Sequence, residues 1–119
     1  MKKFKVLLTG VTTMLVVLGT AFTISAATKG ITATVTTTMA SATYNYGKPS
    51  SSLEVEIYFE EEHYQTHQVF CKSESEYAYG GYSSVSMRRN ADDAYFYNKI
   101  IATGYCNGEF DISTGEVTP

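Results

Sequence analysis

The chain of 119 residues has no tryptophan, two cysteines, two histidines and few cations. Of its nine lysines and arginines, three lie within the first five residues; the others are Lys29, Lys48, Lys72, Arg88, Arg89 and Lys99. From Thr28 onward, six basic residues stand against twelve acidic ones, a net charge of −6 compared with −3 for the whole chain. That balance argues against a nucleic-acid partner, which selects a basic surface. It also argues against stable membrane insertion of this part, since membrane-active segments are basic amphipathic helices. Catalytic signatures are missing too. No serine sits in a Gly-x-Ser-x-Gly elbow, and no Ser-His-Asp set can be assembled. Asn45, Asn90, Asn98 and Asn107 all lack the glycosylation acceptor pattern. No cofactor is expected, and the protein reads as a non-enzyme.

What is present begins with an export signal. Lys2, Lys3 and Lys5 form a basic start, residues 6–18 are largely apolar, and Ser25 and Ala27 put small side chains at the −3 and −1 positions of a cut after Ala27. Residues 1–27 are therefore expected to be a removable secretory signal, and residues 28–119 one small extracellular domain. An uncleaved anchor is the alternative: residues 6–26 approach the length of a span, about 20 residues. Six hydroxyl residues dilute that stretch, and no basic stop-transfer cluster follows it. No cysteine follows the apolar run to carry a lipid.

The dominant pattern in residues 28–119 is alternation with period two, the signature of half-buried strands. Ile31, Ala33 and Val35 alternate with threonines. The phase then slips, and Ala40, Ala42, Tyr44 and Tyr46 alternate with polar residues, which implies either a β-bulge or two strands joined near residues 37–39. Residues 47–52, Gly-Lys-Pro-Ser-Ser-Ser, read as a turn. The cleanest strand follows: Leu53, Val55, Ile57 and Phe59 on one side, Glu54, Glu56, Tyr58 and Glu60 on the other, with Glu60-Glu61-Glu62 as an acidic loop after it. Strand chemistry resumes over residues 64–72, and residues 73–76 read as a loop. Tyr77 and Tyr79 lead into a Gly80-Gly81 turn or bulge, and Val85 and Met87 face inward from another strand. Residues 94–107 fit a strand better than a helix, with Phe96, Ile100, Ala102 and Cys106 on one face. The tail after Asn107 adds at most one short edge strand. Together these segments predict an all-β fold, a small antiparallel β-sandwich or small barrel of five to seven strands.

Three sets of side chains are candidates for function. Cys71 and Cys106, a pair in an exported chain, are expected to form one disulfide. It would close a loop of about 36 residues and stabilise by roughly 3–4 kcal/mol. His63 and His67 are weak metal candidates. Four residues apart, they could share an ion on a helix, but Tyr64 stands where the zinc-protease pattern needs glutamate. Asp92-Asp93 and the carboxylates near Asp111 fit turns better than a calcium loop. Finally, all ten tyrosines lie after the signal. Tyr44, Tyr46, Tyr58, Tyr77, Tyr79 and Tyr82 form a candidate binding surface, since tyrosine offers large contact area at low entropic cost.

These features imply a secreted binding or interaction protein whose partner is a protein or a cell-envelope glycan. The layout, an export signal ahead of a small all-β domain, is similar to that of small exported β-sandwich proteins of Gram-positive bacteria. That resemblance, which includes bacteriocins, implies an antibacterial protein as one alternative. A small metal-dependent enzyme using His63 and His67 is the other.

Overall fold

The structure, a computed structural model, describes residues 21–25 and 30–119. The expected signal, residues 1–27, lies outside the described residues except for 21–25. The described chain is all-β, without a helix: β1 (Ala21–Ser25), β2 (Gly30–Val35), β3 (Met39–His63), β4 (Val69–Asn90), β5 (Tyr95–Cys106) and β6 (Glu109–Val117). All pairings are antiparallel and belong to one sheet, ordered β1-β2-β3-β5-β6, with β4 on the other side of β3.

The 25 residues of β3 organise everything else. Its first part pairs with β2 on one side, its last part with β5 on that same side, and β4 accompanies both parts on the other. Residues 47–52, expected as a turn, instead bend this continuous strand. Pairing with β4 shifts between Asn45 and Ser50 and again between Ser50 and Ser52. The bend contains Gly47 (φ 91°) in the first of these gaps on β3, and Gly80 (φ 88°) and Gly81 (φ 99°) on β4, between the partners of Ser52 and Ser50. Bulges and glycines on both strands let the pair turn a corner together. The corner divides the sheet into a first limb (β1, β2 and the near ends of β3 and β4) and a second limb (the far ends of β3 and β4, with β5 and β6). The sheet curls until β2 approaches β5 and β6.

The core lies inside this curl. Ile31, Ala33, Val35, Ala40, Ala42 and Tyr44 enter it from the first limb; Leu53, Val55, Ile57, Phe59, Tyr97, Ile100, Ala102 and Val117 enter from the second. The slip of phase between Val35 and Ala40 is a tight connection between two strands, not a bulge. Thr36 N–H donates to the Met39 carbonyl at 2.8 Å, and Thr36 Oγ1 accepts from the Met39 amide at 3.1 Å. Gly104 leaves room for the Tyr44 ring, because a Cβ there would sit 2.6 Å from Tyr44 Cγ. The last hairpin turns on Asn107 (φ 52°) and Gly108 (φ 82°), the two positive angles of a type I′ turn. β6 is consequently a full nine-residue strand rather than a frayed tail.

Three further expectations change. Residues 94–107 are strand throughout most of their length, as expected, but their inward face differs. Glu60 pairs with Lys99 and Glu61 with Tyr97, so Asn98 is an extra bulged residue. Below it the alternation flips, and Tyr97 is buried in place of Phe96. The expected acidic loop is also strand: β3 continues to His63, and Glu61 points inward, fully buried. Finally, residues 64–66 form the turn, and residues 73–76, expected as a loop, belong to β4.

Glu61 is tolerated in the core because Arg89 meets it. The guanidinium, only 8% exposed, donates to Glu61 Oε2 at 2.5 Å, to Tyr97 Oη at 2.7 Å and to Glu74 Oε2 at 3.1 Å. It also lies 3.8 Å above the centre of the Phe59 ring. Burial alone would lower the pKa of this group, but the hydrogen bonds to Glu61, Tyr97 and Glu74 outweigh it and hold the guanidinium above its usual range. Glu61 Oε1 is buried with no partner among the described residues. Arg89 thus ties the near end of β4 to the far limb across the open side of the curl.

Candidate functional site

The outer face of the second limb follows from the alternation in β3. With Leu53, Val55, Ile57 and Phe59 fully buried, Glu54, Glu56, Tyr58, Glu60 and Glu62 must point outward. Register then sets Tyr77, Ser75, Ser73 and Cys71 of β4 beside Glu54, Glu56, Tyr58 and Glu60. Tyr105, Thr103, Ile101 and Lys99 of β5 flank the same four from the other side. The result is a central row of carboxylates edged by tyrosines and short hydroxyl residues.

Hydroxyls serve the carboxylates of this row. Ser75 Oγ donates to Glu54 at 2.7 Å and Tyr105 Oη donates to Glu56 at 3.2 Å. The charge of Glu54 raises the Tyr77 pKa; burial and then Glu56 raise that of Tyr105. Tyr58 is also raised, chiefly by its hydrogen bond with the Cys71 thiol. Among the described residues, no lysine, arginine or histidine forms an ion pair with Glu54 or Glu56. The lower carboxylates differ: Asn98 bridges Glu60 and Glu62 at 2.9 and 3.1 Å, and Lys99 and His67 approach them.

β4 forms the rim of this face and pairs only with β3 among the described residues, so its other edge is open. Tyr77 and Tyr79 are 49% and 63% exposed, their rings nearly parallel with centroids 5.8 Å apart. Tyr58 is 37% exposed. On the inner side of the same segment stand Lys72, Glu74 and Glu76, all exposed. Inward-pointing charges on an edge strand oppose uncontrolled pairing with other strands.

No family model, curated protein or solved structure matches this chain. Any assignment of the site therefore rests on its own geometry.

Of the six tyrosines named from the sequence, Tyr58, Tyr77 and Tyr79 share this face. Tyr82 is exposed beyond the Gly80-Gly81 bend. Tyr44 is not available at all: it is fully buried, and its hydroxyl donates to Asp111. Burial and that carboxylate hold its phenol far above the ordinary tyrosine range. Tyr46 lines a separate hollow of about 390 Å³ with Cys106, Asn107, Glu109, Phe110 and Asp111. Sequence reasoning missed Glu54 and Glu56 as members of the site, although their place in the alternation was legible. It also missed Tyr105, whose neighbourhood depends on the register of β5.

The expected disulfide is not formed: Cys71 and Cys106 are free thiols. Cys71 pairs with the outward-facing Glu60, and Cys106 with the inward-facing Leu53. The two sulfurs are therefore on opposite faces of the sheet, some 23 Å apart along β3 at about 3.3 Å per residue. A bridge tolerates a Cα separation of only about 7 Å. Cys106 instead lies 3.3 Å from Ser50 Oγ.

His63 and His67 belong to the β3–β4 turn. His63 Nδ1 accepts the amides of Gln65 and Thr66 at 3.1 and 3.2 Å, while His67 Nδ1 lies 2.8 Å from Glu62. Among the described residues no three histidine, cysteine or acidic side chains are grouped to hold a metal. Asp92 accepts from Arg89 at 3.1 Å and Asp111 from Tyr44, so both are engaged in the fold.

Proposed function

We propose that the protein is a secreted, non-enzymatic binding module whose contact surface is the outer face of β3 and β4. One observation carries this reading: Tyr58, Tyr77 and Tyr79 stand exposed near Glu54 and Glu56, next to an edge of β4 that no described strand covers. Tyrosines combine an apolar ring with a polar tip suited to a wet interface. Carboxylates between them add polar recognition. The surface is broad and open, which suits an extended extracellular polymer better than a small molecule, whose sites are concave.

The test is co-sedimentation. Protein collected from the culture medium is mixed with intact bacterial cells, isolated cell walls and secreted macromolecules. Wild type is expected to be retained by one of these fractions, and the Tyr77→Ala/Tyr79→Ala variant to be released at least tenfold more. Equal retention of the two removes the surface assignment. Absence of the protein from the medium removes the secretory one.

A further inference from the structure

Deepening the binding-module reading, and resting on it, we infer that the ligand is an extended polypeptide segment rich in lysine or arginine, added as a further strand to the open edge of β4 over residues 69–79.

Two independent features of the structure converge on this occupant. The first is the edge itself. Alternate backbone N–H and C=O groups of β4 point away from β3, and no described strand receives them. An extended peptide satisfies such a row by strand addition, whatever its sequence. The second feature is charge. On the outer face, Glu54 and Glu56 have hydroxyl partners but no cation among the described residues. Ser75, which is short, lies between Glu56 and the rim, and Tyr77 lies between Glu54 and the rim. A long basic side chain from an added strand can cross Ser75 to reach Glu56, two strand spacings away at about 9–10 Å, and Glu54, whose carboxylate accepts from the same serine. The parallel rings of Tyr77 and Tyr79 offer a cation–π surface on the same path. On the inner face, Glu76 makes no ion pair among the described residues and awaits the alternate side chain of the same strand. A strand with basic residues on either face thus finds an acidic counterpart there.

The same charges select against the obvious competitor, a second copy of this chain. Antiparallel pairing of two β4 edges would bring Glu74 and Glu76 of each copy toward those of the other, and like charges across a strand pair are destabilising. Each copy also carries the −6 charge of residues 28–119. A neutral glycan would use the tyrosine rings but leave the backbone edge and the charges of Glu54 and Glu56 unanswered.

The experiment uses the secreted protein and a fluorescent peptide of alternating lysine and threonine, with an alternating glutamate–threonine peptide and a neutral β-linked oligosaccharide as comparisons. Anisotropy is expected to show binding of the lysine peptide alone, weakening as salt rises. Glu54→Gln/Glu56→Gln should reduce affinity at least tenfold. Two further peptides, N-methylated at odd or at even positions, address the mode of binding. One set should lose binding because its methyl groups face β4, while the other should retain it. If both methylated peptides bind as well as the parent, strand addition is overturned. If the oligosaccharide binds and the lysine peptide does not, the polypeptide ligand is overturned while the binding-module reading survives. If the Tyr77→Ala/Tyr79→Ala variant also keeps every envelope interaction, both fail.

Discussion

β3 and β4 run side by side through the second limb, paired residue for residue, yet they live in different environments. Residues 53–59 of β3 alternate between fully buried and half-exposed. Their partners in β4, residues 72–78, are wet on both faces apart from Ser75 and Ala78. The cause is the direction of curl. The sheet rolls so that β2 comes over β5 and β6, which covers the inner face of β3 and leaves the far part of β4 outside the roof. The near part of the same strand is different again: Val85 is buried and Met87 packs on the core. Hydrogen-bonded pairing therefore fixes neighbours but not burial. A strand half freed from the core can carry chemistry for a partner at little cost to the fold.

That contrast can be broken from the covered side first. Replacing Arg89 with methionine strands Glu61 in the core. Loss of one partner of a buried ion pair costs about 3–5 kcal/mol. Urea unfolding of Arg89→Met should show this loss, and Arg89→Met/Glu61→Leu should recover most of it; an unchanged midpoint in the single variant would contradict the buried latch. Gly104→Ala comes next, because the added methyl meets the Tyr44 ring. Overpacking of this kind costs about 1–3 kcal/mol, again read by urea. On the wet side, Tyr77→Ala or Tyr79→Ala should change stability by less than about 0.5 kcal/mol while weakening partner retention.

The smallest effect is one of alkaline pH. Tyr44 and Tyr97 are both raised above the ordinary 10.0, Tyr44 by burial and then Asp111, Tyr97 by burial against the opposing pull of Arg89. For an acid whose folded pKa is raised, the neutral form favours folding. Its contribution is complete below the unfolded value of 10.0 and is lost as pH climbs above it. Absorbance titration should show these two ionising only as the fold gives way. Tyr44→Phe should flatten the stability decline above pH 10.

Much of the fold was legible because alternation is local. The inward set of residues 53–59 and the outward row of Glu54, Glu56 and Tyr58 follow from period two alone. What escaped was non-local. Three successive glutamates look like a loop until Arg89, 28 residues away, is seen to neutralise the middle one. The bulge at Asn98 flips a strand without any sign in composition. Gly47 and its neighbours resemble a turn, yet they bend a strand whose partner bends with it. The cysteine pair misled because spacing along a chain says nothing of which face each residue takes. Tyr44 and Tyr46 were placed with the binding surface for the same reason: residue type suggests a role, but only register separates the core from the rim. The Asn107-Gly108 turn, by contrast, was readable from its dipeptide and was overlooked.

The most direct measurement is amide hydrogen exchange on the protein, with and without the lysine–threonine peptide. Residues 53–59 of β3 are predicted to exchange slowly throughout, and alternate amides of residues 69–79 in β4 to exchange quickly in the free protein and slow on addition of peptide. Equal protection of the two strands in the free protein, or no gain in β4 with the peptide at saturation, would contradict the open edge on which the account rests.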